Sequence, residues 1–243
     1  ALAAIERKLA ENRSIKANLE EMRRYFDLPK LPERIEIYDN SHNQGTYAVG
    51  AMVVATPEGF DKKSYRTFNI KDRTITNDDF AMMKEVLKRR FDRMAPDNRP
   101  DVILLDGGLG QLHAVHESLS RYDLSGISII AISKGVDRNA GKEFYHQLGK
   151  ESFALPYRSS IAFYLQTLRD EAHRFAIGTH RKRRAKSMTK SSLDDIEGIG
   201  AKRKKDLLNH FGSVAAIKDA SVEDIAKVVG INKKTAENIY NCL

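Results

Sequence analysis

The feature that most constrains the fold is a run of four consecutive large apolar residues, Val102 to Leu105. A strand without polar residues on either side has to be covered on both of its faces. The covering elements are usually helices, so the run predicts the central strand of a layered α/β domain. It stops at Asp106, Gly107 and Gly108, a combination typical of a turn.

The segments around this strand predict a definite order of elements. A helical pattern comes first, then three strands joined by short turns, and then helix, strand, helix, strand, hairpin and a long helix. In chain order the predicted segments are 3–25, 34–38, 47–55, 64–70, 77–93, 102–105, 109–119, 127–132, 143–155 and 159–184. This is the element order of an RNase H-like fold, a mixed α/β sheet with flanking helices. A doubly wound sheet is the competing architecture, but it should alternate strand and helix from its start.

The last fifty residues or so show a repeat in place of a strand pattern. Ile196–Gly200 corresponds to Val228–Asn232, with a spacing of 32 between Gly198 and Gly230. A short glycine turn leaves backbone N–H groups free at the next helix start, where the helix dipole favours an anion.

Ordinary glycine capping explains one such turn, but two in register predict a small all-α, tandem helix-hairpin-helix domain. It would bind DNA phosphates without sequence specificity. The residues predicted to contact DNA are Gly198, Gly200, Lys202, Gly230, Asn232 and Lys233.

The net charge of +8 suggests a polyanionic partner, and the charge is unevenly distributed. The segment from Ser191 onward is neutral, with eight Lys and Arg against eight Asp and Glu. The densest basic run lies just before it, and Arg181 and Arg183 are candidate phosphate contacts there. A solvated linker explains this run equally well. We expect the run to separate a domain of residues 1–186 from one of residues 187–243.

Two features limit the class of protein. No stretch approaches the ~20 apolar residues that span a bilayer, so no membrane partner is expected. Cys242 is the single cysteine, which excludes an internal disulfide and favours a cytoplasmic protein. A metal ion would therefore need oxygen and imidazole ligands.

Two aspartates follow predicted strands of the sheet. Asp39 comes after the first strand and Asp106 after the central one. Carboxylates at neighbouring strand ends can share a divalent cation such as Mg²⁺, which favours oxygen ligands and can assist attack on a phosphodiester. Each aspartate alone is better explained as a turn residue, whereas the two together make a metal site an even alternative.

Three further positions are weaker candidates. His173 lies on the long helix, on one flank with Gln166 and Arg169, and could ligate a metal or move a proton. Asp78 or the adjacent Asp79 should cap a helix, and the other could reach the metal site. His42 is best explained as a turn residue.

The chain contains three ordered motifs, which are Tyr38–His42, Asp106–Leu112 and Arg169–Ala176. Together with Asp78–Met83 and the repeated tail, they resemble the UvrC family, the C subunits of the bacterial excinuclease ABC complex. The resemblance covers nearly the whole chain. It implies that Asp39, Asp106 and His173 form the catalytic set of an RNase H-like nuclease, which would use Mg²⁺ or Mn²⁺. It also implies a role in activity for Asp78.

The resemblance further implies hydrolysis of a phosphodiester on the 5′ side of a lesion in damaged double-stranded DNA. The reaction would belong to nucleotide excision repair in the bacterial cytoplasm, after handover by UvrA and UvrB. Because the chain starts without Met and lacks the GIY-YIG nuclease that makes the 3′ incision, it is expected to be a fragment. The main UvrB-binding segment should lie upstream of it.

Two other functions remain open at the level of sequence. A non-catalytic scaffold with an inactive RNase H-like domain would act through its hairpins alone. A Holliday-junction or transposase-type nuclease would usually complete its site with carboxylates and would cut junctions or transposon ends. Metal-dependent nicking of lesion-bearing DNA separates these functions.

Overall fold

The structure, a computed structural model, describes residues 2–43, 46–70, 72–76, 78–135, 143–189, 193 and 196–243. The chain divides into two compact units, Ala1–Arg181 and Lys182–Leu243. The first unit contains a mixed sheet with flanking helices, and the described part of the second is helical. The fold class predicted from the sequence is therefore confirmed.

The sheet is built around the predicted central strand. Its strands are β1 (Ile35–Asn43), β2 (Thr46–Thr56), β3 (Gly59–Phe60), β4 (Arg66–Asn69), β5 (Val102–Asp106), β6 (Ser128–Lys134), β7 (Glu143–His146) and β8 (Phe153–Ala154). The strand order is β3-β2-β1-β5-β6-β7-β8, and β4 also pairs with β2. β5 lies parallel to β1 on one side and to β6 on the other, whereas the other pairings are antiparallel.

Helices cover both faces of this sheet, as the apolar central strand requires. Among the described residues, the α-helices that begin in the first unit are α1 (Leu2–Tyr25), α2 (Asp79–Phe91), α3 (Leu109–Ser118) and α4 (Ser160–Thr189). Side chains of β5 alternate between two cores. Val102 and Leu104 pack with residues of α1 and α4, whereas Ile103 and Leu105 pack with residues of α2 and α3.

A buried ionic network ties β1 to α2 within the second of these cores. Glu36 on β1 is fully buried, and its carboxylate accepts hydrogen bonds from the Tyr38 hydroxyl at 2.6 Å and from Arg34 Nε at 2.9 Å. Arg90 of α2 donates to the same carboxylate from Nη2 at 2.7 Å and also reaches the carbonyl of Asn98 at 2.6 Å. The carboxylate therefore keeps its charge out of water because it is surrounded by donors.

The second unit consists of short helices around a small apolar core. They are α5 (Ala201–Phe211), α6 (Val214–Lys218), α7 (Val222–Ala226) and α8 (Lys233–Cys242). Leu207, Ile225 and Ile239 are fully buried in this core. The helical tail predicted from the repeat is thus confirmed.

One element differs from its predicted bounds in a way that affects the site. β1 was expected to stop before Asp39, but it continues to Asn43, paired with β2 through Asn40 and Ser41. Asp39 is therefore a residue within a strand and not a turn residue. The polar residues Asn40–Asn43 have low intrinsic strand propensity, and the pairing with β2 overrides that preference.

Candidate active site

The sheet places Asp39 and Asp106 side by side on one face. Tyr38 pairs with Leu105 in the parallel register of β1 and β5, so the next residue on each strand is an aspartate. Asp39 shares its face with Ile37, and Asp106 shares its face with Leu104. Both Ile37 and Leu104 belong to the core that contains α1 and α4. The two carboxylates therefore approach α4 from adjacent strands about 4.8 Å apart.

α4 brings His173 to the same place. Its Nδ1 lies 2.9 Å from Oδ2 of Asp39, although 134 positions separate the two residues in the chain. One ligand atom from each of Asp39, Asp106 and His173 can be chosen so that all lie within 4.8 Å of one another. The His173 side chain is 59% exposed and that of Asp39 is 9% exposed, so the cluster is accessible from one side.

The two carboxylates repel each other in a partly dry environment. The pKa of Asp39 is raised to about 6, mainly by burial and then by the neighbouring Asp106, while the hydrogen bond from His173 acts in the opposite direction. Burial also raises the pKa of Asp106, while the charges of Arg169, His173 and Lys134 lower it. Negative charge at this position is therefore undercompensated by the protein, and a bound cation would relieve it.

An ion pair between Arg169 and Glu143, which the sequence did not predict, lies next to Asp106. Arg169 is one helical turn from His173 on α4, and its Nε lies 3.9 Å from Oδ1 of Asp106. Its Nη1 forms an ion pair with Glu143 on β7, and the Arg169 side chain is 9% exposed. Arg169 was noticed on the flank of His173, but Glu143 carried no signal beyond its place in a predicted hairpin.

The turn after Asp106 is closely packed. The backbone N–H of Gly107 donates to the carbonyl of Ile132 at 3.0 Å, which ties this turn to β6. A Cβ atom on Gly107 would lie only 1.5 Å from Oε1 of the buried Gln111. Glycine at 107 therefore lets the start of α3 lie against the end of β5 beside the cluster.

The other predicted acidic positions lie at the start of α2. Oδ1 of Asp78 accepts hydrogen bonds from the backbone N–H groups of Phe80 at 2.9 Å and Ala81 at 3.0 Å, so Asp78 is the N-cap of α2. Asp79 is the first residue of that helix and is exposed. The group among the described residues that could hold a metal ion contains neither aspartate. A role of Asp78 in activity stays a prediction. The side chain of His42 lies outside the described residues.

Two similar hairpins form in the second unit. Gly198 and Gly230 have φ values of +88° and +85°, which glycine adopts without strain. The backbone N–H of Ile199 donates to Ile196 at 3.1 Å, and that of Ile231 donates to Val228 at 3.0 Å. These matching turns precede α5 and α8, so the repeat seen in the sequence is a structural repeat.

The two hairpins differ at the helix start. Gly200 caps α5 without a side-chain hydrogen bond, whereas the Asn232 side chain accepts from the backbone N–H of Thr235 at 2.8 Å. Lys202 and Lys233 are exposed in the first turns of α5 and α8. Arg181 and Arg183 belong to α4, and their side chains lie outside the described residues.

The mixed sheet, its acidic pair with a histidine, and the repeated hairpins define a class of protein, an RNase H-like domain followed by a helix-hairpin-helix domain. The model of the UvrC RNase H endonuclease domain matches residues 23–177, and that of the SAM-like helix-hairpin-helix tandem matches residues 190–243. The chain belongs to the UvrC family.

Relatives with the name UvrABC system protein C are similar along nearly the whole chain. The protein from Zymomonas mobilis is 53% identical over 98% of this chain, and that from Hyphomonas neptunium is 51% identical over 98%. These alignments cover 37% and 40% of the two relatives, so the chain spans about two fifths of their length.

A solved structure of a Ciona intestinalis endonuclease V with inosine-containing DNA covers 72% of this chain and 98% of its own. It is 14% identical with a TM-score of 0.39, a likeness too low to bear on function. Among the described helices, none has the length and apolar character needed to cross a bilayer.

Proposed function

We propose that this chain is the divalent-metal-dependent endonuclease part of a UvrC protein and makes the incision 5′ to a DNA lesion in nucleotide excision repair. The observation that carries this proposal is the cluster of Asp39, Asp106 and His173 in a chain of this family, with ligand atoms within 4.8 Å of one another. Membership of the family supports the nuclease activity, and the cluster supports its dependence on a metal.

The side chains of the cluster fit Mg²⁺ or Mn²⁺. The two carboxylates suit these cations, which favour oxygen ligands, whereas imidazole is a more usual ligand of zinc, copper, iron or nickel. Burial and the neighbouring Asp106 raise the pKa of Asp39, so its anionic charge is poorly compensated by the protein. When bound, such a cation neutralises charge on the scissile phosphate and favours deprotonation of the attacking water.

Each protein group has a distinct task in this proposal. Asp39 and Asp106 hold the cation from adjacent strands, and His173 either completes the ligand set or accepts the proton of the attacking water. The hydrogen bond between His173 and Asp39 fixes the orientation of the imidazole. Arg169 is a positioning residue, because it holds Asp106 from the buried side together with Glu143.

In this proposal, residues 187–243 form a second domain, which holds the damaged double-stranded DNA. Backbone N–H groups after Gly198 and Gly230 would receive phosphates, with Gly200, Asn232, Lys202 and Lys233 around them and Arg181 and Arg183 before them. The substrate would be delivered by UvrB, and indirectly by UvrA, in the cytoplasm of a bacterium. The main UvrB-binding segment would lie outside this chain.

The test is nicking of a lesion-bearing duplex with a short bubble, with Mg²⁺ or Mn²⁺ and with EDTA. The wild-type chain is expected to nick 5′ to the lesion when the metal is present. Asp39→Asn and Asp106→Asn should each lower the rate at least 100-fold while DNA affinity changes less than threefold, on the scale of a lost metal ligand. Asp97→Asn is the matched control, because Asp97 is exposed in a 3₁₀ turn before β5.

Nicking by Asp39→Asn or Asp106→Asn at the wild-type rate would show that the cluster is not the active site. Metal-independent binding without any nicking by the wild-type chain would favour the non-catalytic scaffold. Cleavage of four-way junctions in preference to the lesion-bearing duplex would favour a junction nuclease.

A further inference from the structure

A small cavity lies against α4 in the first unit, beside the metal-binding cluster. Its volume is about 160 Å³, and Glu143, Tyr145, Tyr157, Arg158, Phe163 and Gln166 are among the residues that line it. An apolar cavity of about 150 Å³ accommodates a benzene ring. The cavity is therefore of the size that receives one flat ring and is too small for a folded peptide segment.

Aromatic side chains stand exposed at the cavity. Tyr157 is 66% exposed and Phe163 is 55% exposed, although large aromatic side chains gain free energy by burial. The guanidinium of Arg158 lies 5.1 Å from the centre of the Tyr157 ring. Arg158 has a φ of +59°, a left-handed conformation that is costly for a residue other than glycine. Two rings and a guanidinium are thus presented to a ligand.

The polar groups in the cavity match the edges of a nucleobase. Arg158 contributes donors, and the amide of Gln166 provides both donors and an acceptor. The carboxylate of Glu143 pairs with Arg169 and accepts from the Tyr145 hydroxyl at 3.3 Å, and its remaining lone pairs can accept from a ligand. Unstacked bases are bound in proteins by aromatic or guanidinium stacking together with hydrogen bonds to their edges. A lipid or an aliphatic ligand would have no use for these three groups.

The cavity and the cluster share one face of the sheet. Asp106 pairs with Ile132 of β6, and Ile132 pairs with Tyr145 of β7. Two strand spacings of about 4.8 Å place Tyr145 roughly 10 Å from Asp106 along this row.

Two further links connect the cavity with the cluster. Gln166, Arg169 and His173 follow one another along one flank of α4. Arg169 lies between Asp106 of the cluster and Glu143 of the cavity. A ligand in the cavity would therefore contact groups that are coupled to the cluster by an ion pair.

We propose that this cavity is a nucleobase pocket, which receives one unstacked base of the DNA strand whose backbone lies at the cluster. This proposal rests on the proposed function in that DNA has to lie there. A separation of about 10 Å corresponds to roughly three nucleotide rises of 3.4 Å, so the captured base lies within about four nucleotides of the nick. Stacking tolerates any base, so the pocket detects mainly the absence of pairing, and hydrogen bonds to the base edge add a preference among bases.

The experiment is a scan with abasic sites, one at a time, through the unpaired strand of a bubble duplex. Binding by the full 243-residue chain is measured by fluorescence anisotropy in EDTA, so that no strand is cut. One position is expected to weaken binding by the wild-type chain on the order of tenfold when its base is removed, the scale of one base–aromatic stack. The nick is mapped separately with Mg²⁺.

Variants of the cavity decide whether the captured base lies in it. Phe163→Leu should weaken binding of intact DNA by a similar factor, and removal of the base at the same position should then cost nothing more. Phe163→Tyr keeps the ring and should behave like the wild type. Tyr157→Leu and Tyr157→Phe are a second, independent pair of variants. Because Phe163 and Tyr157 are both exposed, these substitutions should not impair folding.

The outcomes separate this proposal from the proposed function. If removal of the base and each of the two leucine substitutions lowered DNA affinity additively, the pocket proposal would be overturned, even if the chain nicks DNA as expected. Coupling at a position more than about four nucleotides from the nick would overturn its placement beside the cluster. Coupling without any metal-dependent nicking would support base binding and count against the nuclease.

Discussion

At the scale of single residues, the site is a set of groups that the protein holds at a cost to its own stability. Asp39 is almost buried beside Asp106, and its pKa of about 6 lies above the value of about 3.9 in an unfolded chain. The folded protein therefore binds more protons than the unfolded chain between about pH 4 and pH 6. Its free energy of unfolding falls as pH rises through this range and stays lowered above it.

Asp39→Asn should therefore stabilise the metal-free protein at pH 7.5. The expected gain in the free energy of unfolding is about 1–3 kcal/mol, because one pKa unit corresponds to about 1.4 kcal/mol. The gain should shrink as pH falls below 6 and vanish near pH 4. Urea denaturation in EDTA between pH 4 and pH 8 measures this profile.

Asp97→Asn is the control, and it should show no such profile. Mg²⁺ should stabilise the wild-type protein more than Asp39→Asn, because a ligand stabilises the state that binds it. A lower stability of Asp39→Asn in EDTA at pH 7.5 would contradict the electrostatic explanation.

The residues of the site were predictable to different extents. The sequence pattern placed Asp39 and Asp106 after neighbouring strands and made His173 a weaker candidate, and the family resemblance joined the three into one set. The distance of 2.9 Å between His173 and Asp39 depends on how α4 packs on the sheet, which no local pattern encodes. Glu143 was not predicted for the same reason, since it meets Arg169 only through tertiary packing.

At the scale of secondary-structure elements, the position of β1 determines that of the cluster. β1 is an interior strand, with β2 on one side and β5 on the other. It presents Asp39 to one core and Tyr38 to the other. The buried carboxylate of Glu36 fixes β1 against α2 through Arg90. The order of helices and strands was predicted well because the hydrophobic patterns are strong. The predicted end of β1 was wrong, because the last residues of this strand are polar and carry no strand pattern.

Arg90→Met should destabilise the first unit by about 3–5 kcal/mol, because it leaves Glu36 buried with fewer donors. The double variant Glu36→Leu with Arg90→Met removes both charges and should recover most of this loss. Urea denaturation followed by circular dichroism measures both values.

Arg121→Met is the matched control for this test, since Arg121 pairs with Asp92 at the surface with side chains 55% and 46% exposed. It should cost far less than Arg90→Met, because an exposed ion pair contributes little to stability. If the double variant were no more stable than Arg90→Met, the buried charge of Glu36 would not be the cause.

At the scale of the whole molecule, a chain with a net charge of +8 combines a candidate chemical site with hairpins suited to phosphates. The division into 1–186 and 187–243 was expected from a basic run, and the compact units divide after Arg181, inside α4. The boundary at 186 stays a prediction. The long helix was predicted to end at 184, and composition could not show that it continues to Thr189, because a dense run of like charges is also typical of linkers.

DNA binding by the full chain should weaken steeply with salt, since each phosphate contact releases counterions. Lys202→Gln and Lys233→Gln should each reduce the slope of log affinity against log salt by about 1, and equally for unrelated DNA sequences. Fluorescence anisotropy between about 50 and 200 mM salt measures the slopes.

Lys218→Gln is the control, because Lys218 ends α6 and does not follow a glycine hairpin. An equal loss of slope for Lys218→Gln would mean that charge alone, and not hairpin geometry, holds the DNA. A loss that depends on base sequence would contradict binding through phosphates.

The place of Asp39 within β1 has a consequence for how chains of this family can vary in length. Neighbouring residues of a strand face opposite ways, so deleting one residue between Ile35 and Asp39 would turn the carboxylate away from His173 and put the amide of Asn40 in its place. Loops at the surface tolerate such deletions. In β1, by contrast, the register of the strand is as essential to the chemistry as the identity of the aspartate itself.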